Sequence, residues 1–189
     1  MPSFTPLNSQ QDFNGGFYVE WAARPPAFPP NPMMPGTPYH AGNADYVFAG
    51  QSLHIDVTAP QVTLSVCDDN FIAGQFTPGE SLLVAHMQPG RMSAHLTFNP
   101  PVRAVGCRIA AEGLAGEAFL GLINVRDAGS GAWFRFGQPS QVSLAFDTAP
   151  FVGLASDGLI DEAWFDVKRP GLAQPFAAVL VGSLFYLPS

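Results

Sequence analysis

Two tryptophans and their strand neighbours are the residues of this chain whose types and spacing best suit chemistry. In Trp133-Phe134-Arg135, alternation along a strand sets Trp133 and Arg135 on one face and Phe134 on the other. In Glu162-Ala163-Trp164-Phe165-Asp166, Trp164 shares a face with Glu162 and Asp166, and Phe165 takes the opposite one. A flat indole stacks on the apolar face of a sugar ring, while charged neighbours fix the hydroxyls. The expected ligand-binding residues are therefore Trp133, Arg135, Trp164, Glu162 and Asp166, with a glycan or another neutral surface ligand as partner. The competing reading is that an outward Trp is covered by a loop.

Cation chemistry comes second. A calcium ion needs several oxygens converging at about 2.3–2.6 Å, and Asp68-Asp69-Asn70 is the best cluster for a structural calcium, because adjacent carboxylates repel unless something positive is near. Asp12 with Asn14, Asn43 with Asp45, and Asp157 with Asp161 and Glu162 are further candidates. None matches a complete calcium-loop signature, and Asp and Asn commonly serve to cap turns. No other cofactor is expected.

Other constellations are thin. His40, His54, His86 and His95 have no metal-ligand spacing. There is no Gly-x-Ser-x-Gly elbow and no glycine-rich phosphate loop. Glu112, Glu117, Asp127, Asp161 and Glu162 are carboxylates from which a glycoside hydrolase-like pair would have to come, but their separation is set in three dimensions. The expectation is a binding module rather than an enzyme, with a structural or self-assembling homo-oligomer as the alternative and a glycoside hydrolase third.

The elements that position these residues read as β throughout. The chain has 189 residues, with 16 Phe, 19 Gly and 19 Pro and only 12% charged residues, a composition of core, turns and short strands. Period-two alternation is clear in Leu53–Val57, Met92–Phe98 and Val142–Asp147. Further strands are expected at about 16–22, 70–76, 81–86, 102–111, 117–126, 132–136, 151–156, 160–167 and 176–187. Pro78-Gly79, Pro89-Gly90, Asn99-Pro100-Pro101, Gly129-Ser130-Gly131 and Asp157-Gly158 mark the turns between them. Strands this short and this evenly spaced predict an all-β, antiparallel β-sandwich or jelly roll, one domain over 1–189. The Pro-rich stretch 24–42 is expected as a long loop.

Net charge of −7, a single lysine (Lys168) and scattered arginines exclude the clustered basic face a nucleic-acid binder needs. No run of 18 apolar residues is present, so no helical membrane span is expected. Met1–Gly16 shows no leader pattern; the protein is expected in the cytoplasm if Met1 is the true start, and outside the cell if a leader precedes it. Alternation places Cys67 outward and Cys107 inward, a poor geometry for a disulfide between them.

The stretch from Phe71-Ile72-Ala73-Gly74-Gln75-Phe76 through Gly79-Glu80-Ser81-Leu82-Leu83 to Asn99-Pro100-Pro101-Val102-Arg103-Ala104-Val105-Gly106 carries a recognisable layout. With Phe151–Asp157, Ile160–Val167 and the closing strand Phe176–Leu187, it resembles the bacterial β-sandwich domains of exported proteins with a PEP-CTERM sorting tail. The resemblance covers about residues 70–187 and implies a jelly roll similar to carbohydrate-binding modules. Where relatives often carry an acidic pair near the end of the final strand, this chain reads Val181-Gly182-Ser183-Leu184, so a cation site depending on that acid does not carry over.

Overall fold

The computed structural model describes residues 2–14, 16–19, 21, 38–39, 43–47, 54–58, 64–68, 75–86, 94–172 and 174–189, with only the backbone course for 19, 38–39, 43–47, 54–58, 64–68, 81 and 86. The strands are β1 (Phe4–Leu7), β2 (Phe17–Val19), β3 (Pro38–Tyr39), β4 (Asn43–Val47), β5 (His54–Thr58), β6 (Leu64–Asp68), β7 (Ser81–His86), β8 (Ala94–Glu112), β9 (Ala118–Asp127), β10 (Trp133–Gln141), β11 (Phe151–Lys168) and β12 (Ala178–Pro188). All pairings among the described residues are antiparallel, and the fold is an all-β sandwich, as the alternation predicts.

Two strands are much longer than expected. Asn99-Pro100-Pro101 does not separate two strands; it lies inside β8, with a cis Asn99–Pro100 bond. Asp157-Gly158 likewise lies inside β11, where the register shifts between Ala155 and Ile160. Turn-forming residues here bend a strand and break its register instead of reversing the chain. β8 and β11 pair with each other on both sides of these breaks, Phe151–Ala155 with 104–108 and Glu162–Phe165 with 94–97.

From this shared pair two layers diverge. In the front layer β9 joins the C-terminal half of β11 and β10 extends the edge, while β5 and β4 follow the N-terminal half of β8. In the back layer β1 takes the flank of β11 that β9 takes in front, and β12 takes the flank of β8 that β5 takes in front. β7, β6 and β3 continue beyond β12, and β2 runs beside its end. Of the Pro-rich stretch 24–42, only Pro38 and Tyr39 lie among the described residues, paired with β6. Proline lacks a ladder donor, so an edge position suits it.

Inward residues of both layers form one apolar core that includes Leu96, Phe98, Ile109, Ile123, Phe165 and Val181. A second cluster of Phe13, Ala104 and Phe151, with Leu7, Phe185 and Leu187 against it, covers part of the back layer's outer surface. The short 3-10 turn Gln10–Phe13, capped by Ser9, delivers Phe13 to it. Two glycines, Gly106 and Gly153, face each other across β8 and β11, and a Cβ on Gly106 would stand 2.8 Å from Cε1 of Phe151 and 2.9 Å from Cα of Gly153.

The alternation at Val142–Asp147 does not produce a strand. Gln75 N donates to Ala145 O at 2.7 Å and Asp147 N to Phe76 O at 3.4 Å, while Val142 N donates to Glu117 O at 2.8 Å, so this segment's backbone bonds serve two irregular stretches rather than a ladder. Asp147 has a φ of 57° and accepts from Arg108 and Thr77 at 2.7 Å each. Val142 is buried as expected, but Leu144 and Phe146 are exposed. Residues 75–76 are bent rather than extended, and the rest of the strand expected at 70–76 lies outside the described residues. The stretch 109–122 is strand, turn and strand.

Gly106→Ala is expected to destabilise the fold by about 1–3 kcal/mol, since the nearest atoms are backbone and a packed ring that cannot both give way. Urea unfolding monitored by tryptophan fluorescence checks this; a midpoint equal to that of the parent chain would refute the tight β8–β11 contact.

Candidate functional site

The strand register of the front layer assembles two parallel rows of outward-facing residues. One row runs Trp133, Arg126, Glu162, Thr97 across β10, β9, β11 and β8. The next runs Arg135, Asn124, Trp164, His95 across the same strands. Their sequence neighbours Phe134, Val125, Ala163, Phe165, Leu96 and Ala94 pack into the core, which fixes the outward direction of both rows. On β5, Asp56 and Thr58 stand in register opposite Thr97 and His95.

Four of the five expected ligand-binding residues therefore share two adjacent rows: Trp133, Arg135, Trp164 and Glu162. Asp166 follows Trp164 on the same strand face, opposite Leu122, and its Oδ1 accepts from Val167 N at 2.8 Å. Trp133 is 47% exposed, and Arg135 is exposed beside it. Trp164 is half-buried, and no loop among the described residues is needed to explain why: its ring lies parallel to that of His95, 3.9 Å between centroids and 3° between planes.

A chain of one hydrogen bond and two ion pairs stiffens this face. His95 Nε2 meets Glu162 Oε2 at 2.8 Å, so the carboxylate accepts and this nitrogen carries the proton. Arg126 Nη1 pairs with Glu162 Oε1, and Arg126 Nε and Nη2 donate to Asp161 at 3.0 and 2.7 Å. Arg135 Nε donates to Asn124 Oδ1 at 2.6 Å. Burial lowers the proton affinity of His95; the bond and charge of Glu162 work against that shift, and Arg126 adds to it. The imidazole is thus predominantly neutral at pH 7.

Sequence reading did not anticipate His95, Arg126 or Asn124 as members of this surface. His95 is legible as outward in the alternation of Met92–Phe98, but its contact with Trp164 depends on a β8–β11 pairing across 69 positions of chain. Cross-strand neighbours of that kind leave no local sequence signal.

The cation candidates are differently placed. Asp12 caps the 3-10 turn, its Oδ2 accepting from Asn8 N at 2.9 Å and Ser9 N at 3.0 Å. The third grouping does not converge on one point: Asp157 binds Ser3, while Asp161 and Glu162 are both held by Arg126. Asp69 and Asn70 lie outside the described residues, as do the side chains of Asp68, Asn43 and Asp45. Among the described residues, no group of three His, Cys, Asp or Glu side chains is arranged to hold a metal ion. Of the carboxylates considered for hydrolysis, Asp127 caps its turn through Ser130, Glu117 pairs with Arg169 at 3.3 Å, and Glu112 is exposed at the end of β8. Cys107 is a free, fully buried thiol whose pKa burial pushes well up, which suits packing rather than nucleophilic chemistry. No helix among the described residues is long and apolar enough to cross a membrane.

No protein-family model and no curated protein matches this chain. Among solved structures it is similar to the N-terminal CBM22-1–GH10 modules of Clostridium thermocellum endo-1,4-β-D-xylanase 10B, determined in complex with xylohexaose. The identity is 8%, the match covers 70% of this chain and 26% of that one, and the TM-score is 0.32. A likeness at that level carries no functional argument. Nothing in these comparisons ties the chain to PEP-CTERM proteins, and what stands of that resemblance is the antiparallel β-sandwich.

Because His95 takes up a proton less readily in the fold than in the unfolded chain, the unfolded state binds that proton first as pH falls below about 6.5. This residue therefore lowers stability as the pH drops from about 6.5 through its folded value, and has no such effect above. His95→Gln is expected to flatten the decline in melting temperature between pH 7 and pH 5; an unchanged slope would contradict the burial of a neutral imidazole.

Proposed function

We propose that this chain is a non-catalytic glycan-binding module whose ligand lies along the outward face of the front layer, over Trp133 and Trp164. The single observation that carries the reading is the grouping of an exposed indole, a half-buried indole and three hydrogen-bonding side chains, Arg135, Asn124 and Glu162, in two adjacent rows of one sheet. Trp133 and Trp164 stand two strands apart, about 10 Å across the sheet. An extended saccharide, rather than a single sugar, matches that spacing. The hydrogen-bonded and ion-paired chain from His95 to Asp161 supports the same reading, because a surface held in place before binding loses less side-chain freedom on binding.

A second reading, self-association, draws on the opposite kind of surface. Leu114, Leu144, Phe146 and Leu172 are 76%, 67%, 57% and 66% exposed. They sit on three loops that meet at one end of the sandwich, joined by Val142 N to Glu117 O and by Arg169 to Glu117. A cluster of this kind is more informative than isolated exposed leucines.

Trp133→Ala is expected to weaken binding to an oligosaccharide panel by about 2 kcal/mol or more, as an interface anchor does, while the melting temperature stays near that of the parent. Trp164→Ala is expected to lose binding and some stability together, because His95 stacks on it. Calorimetric titration and thermal melting measure both, and a parent chain that binds none of the panel refutes the module reading. Under the second reading, light scattering on dilution detects mass that falls with concentration, and the double change Leu144→Ser with Phe146→Ser abolishes it; a strict monomer at every concentration refutes it.

A further inference from the structure

Arg126 and Arg135, both on the outward face of the front layer, are not equivalent. Arg126 is paired with its own acids at all three nitrogens, with Nε and Nη2 on Asp161 and Nη1 on Glu162. Arg135 is exposed on the edge strand, and among the described residues no carboxylate pairs with it. Its Nε is held by Asn124 Oδ1 at 2.6 Å, and neither Nη group bonds to another described residue. Asn124 thus orients the guanidinium and leaves its two-pronged edge available.

Trp133 stands two residues away on the same strand and face, about 7 Å along the strand. A guanidinium edge fits a carboxylate through two parallel N–H···O bonds. An indole fits the apolar face of a pyranose. A uronic acid carries both partners within one sugar residue. Lys168, four residues beyond Trp164 on β11, is also exposed and without an ion pair among the described residues, so a second positive charge lies farther along the same strand. The net charge of −7 repels an acidic chain at long range, so recognition has to come from these short-range contacts.

Resting on the glycan-module reading, we infer that the ligand is an acidic polysaccharide, with a uronate ring stacked on Trp133 and its carboxylate held in bidentate fashion by the Nη groups of Arg135. The contact is a charge-assisted pair at an exposed site, so it weakens as salt rises.

The test is titration of the full chain with polygalacturonate, with the same polymer after methyl esterification, and with neutral xylan. The expected result is about tenfold or greater preference for the acid over its ester, the scale of one charged hydrogen-bonding contact. Arg135→Ala is expected to erase that preference without moving the melting temperature, and Arg135→Lys, which keeps the charge and loses the fork, to restore only part of it. Equal binding of acid and ester overturns the inference, as does an Arg135→Ala chain that still prefers the acid. Binding to xylan alone overturns the inference and leaves the module reading standing. Binding to none of the three overturns the inference, and the neutral panel then decides the module reading on its own.

Discussion

The antiparallel pairing of β8 with β11 is the contact on which the rest of this protein depends. Each strand runs through both layers, and each changes partner on its free flank where its register breaks. β9 gives way to β1 along β11, and β5 gives way to β12 along β8. Two ordinary strands could not do this, because a ladder continued without interruption keeps the same neighbours. Prolines and glycines inside β8 and β11 supply the interruption: Pro100 and Pro101 in one, Gly158 in the other. The two layers therefore share two strands, and the core between them is enclosed by a folded sheet rather than by two separate ones.

That construction leaves the two outer surfaces with different fates. On the back layer, Gly106 and Gly153 keep the backbone bare where Phe151 lies down, and Phe13 from the N-terminal turn completes an apolar cover. Arg108 extends the cover on the same layer, reaching over Phe76 and joining Glu80, Thr77 and Asp147. Residues 145–147 are held as a loop in the same way: the Asp147 carboxylate is committed to Arg108, and Ala145 O and Asp147 N to the backbone at 75–76. On the front layer, the outward rows from Trp133 to His95 carry aromatic and hydrogen-bonding groups beside one another. The asymmetry between a covered back and a polar, aromatic front is what makes the front the candidate binding surface.

The polar groups of that front are mostly held by one another. His95 is neutral because burial outweighs the pull of Glu162, and a neutral imidazole stacked on an indole costs little to desolvate. Arg126 bridges two acids, so Asp161 and Glu162 are tied down before any ligand arrives. Arg135 has a neutral partner instead: Asn124 holds its Nε, so its charge is oriented without being cancelled. Ion pairs at such partly exposed positions add little to stability; what they contribute here is a fixed geometry.

Much of this was already determined by the amino-acid sequence. Period-two alternation, dense Phe, Gly and Pro, and low charge specify antiparallel sheet, and the same alternation puts Trp133, Arg135, Trp164 and Glu162 outward, because the side-chain period of a strand is a local property of the backbone. Tertiary structure decided whatever depends on which strand lies beside which. It joined 94–112 and 151–168 into single strands through residues that elsewhere reverse a chain, since a turn-former's effect depends on whether neighbouring strands continue to pair around it. It turned 142–147 into a loop, since alternation shows what a segment can bury but not which backbone groups will claim its hydrogen bonds. Finally, it set His95 against Trp164 and Asn124 against Arg135, contacts between residues distant in the chain or on separate strands, which register alone creates.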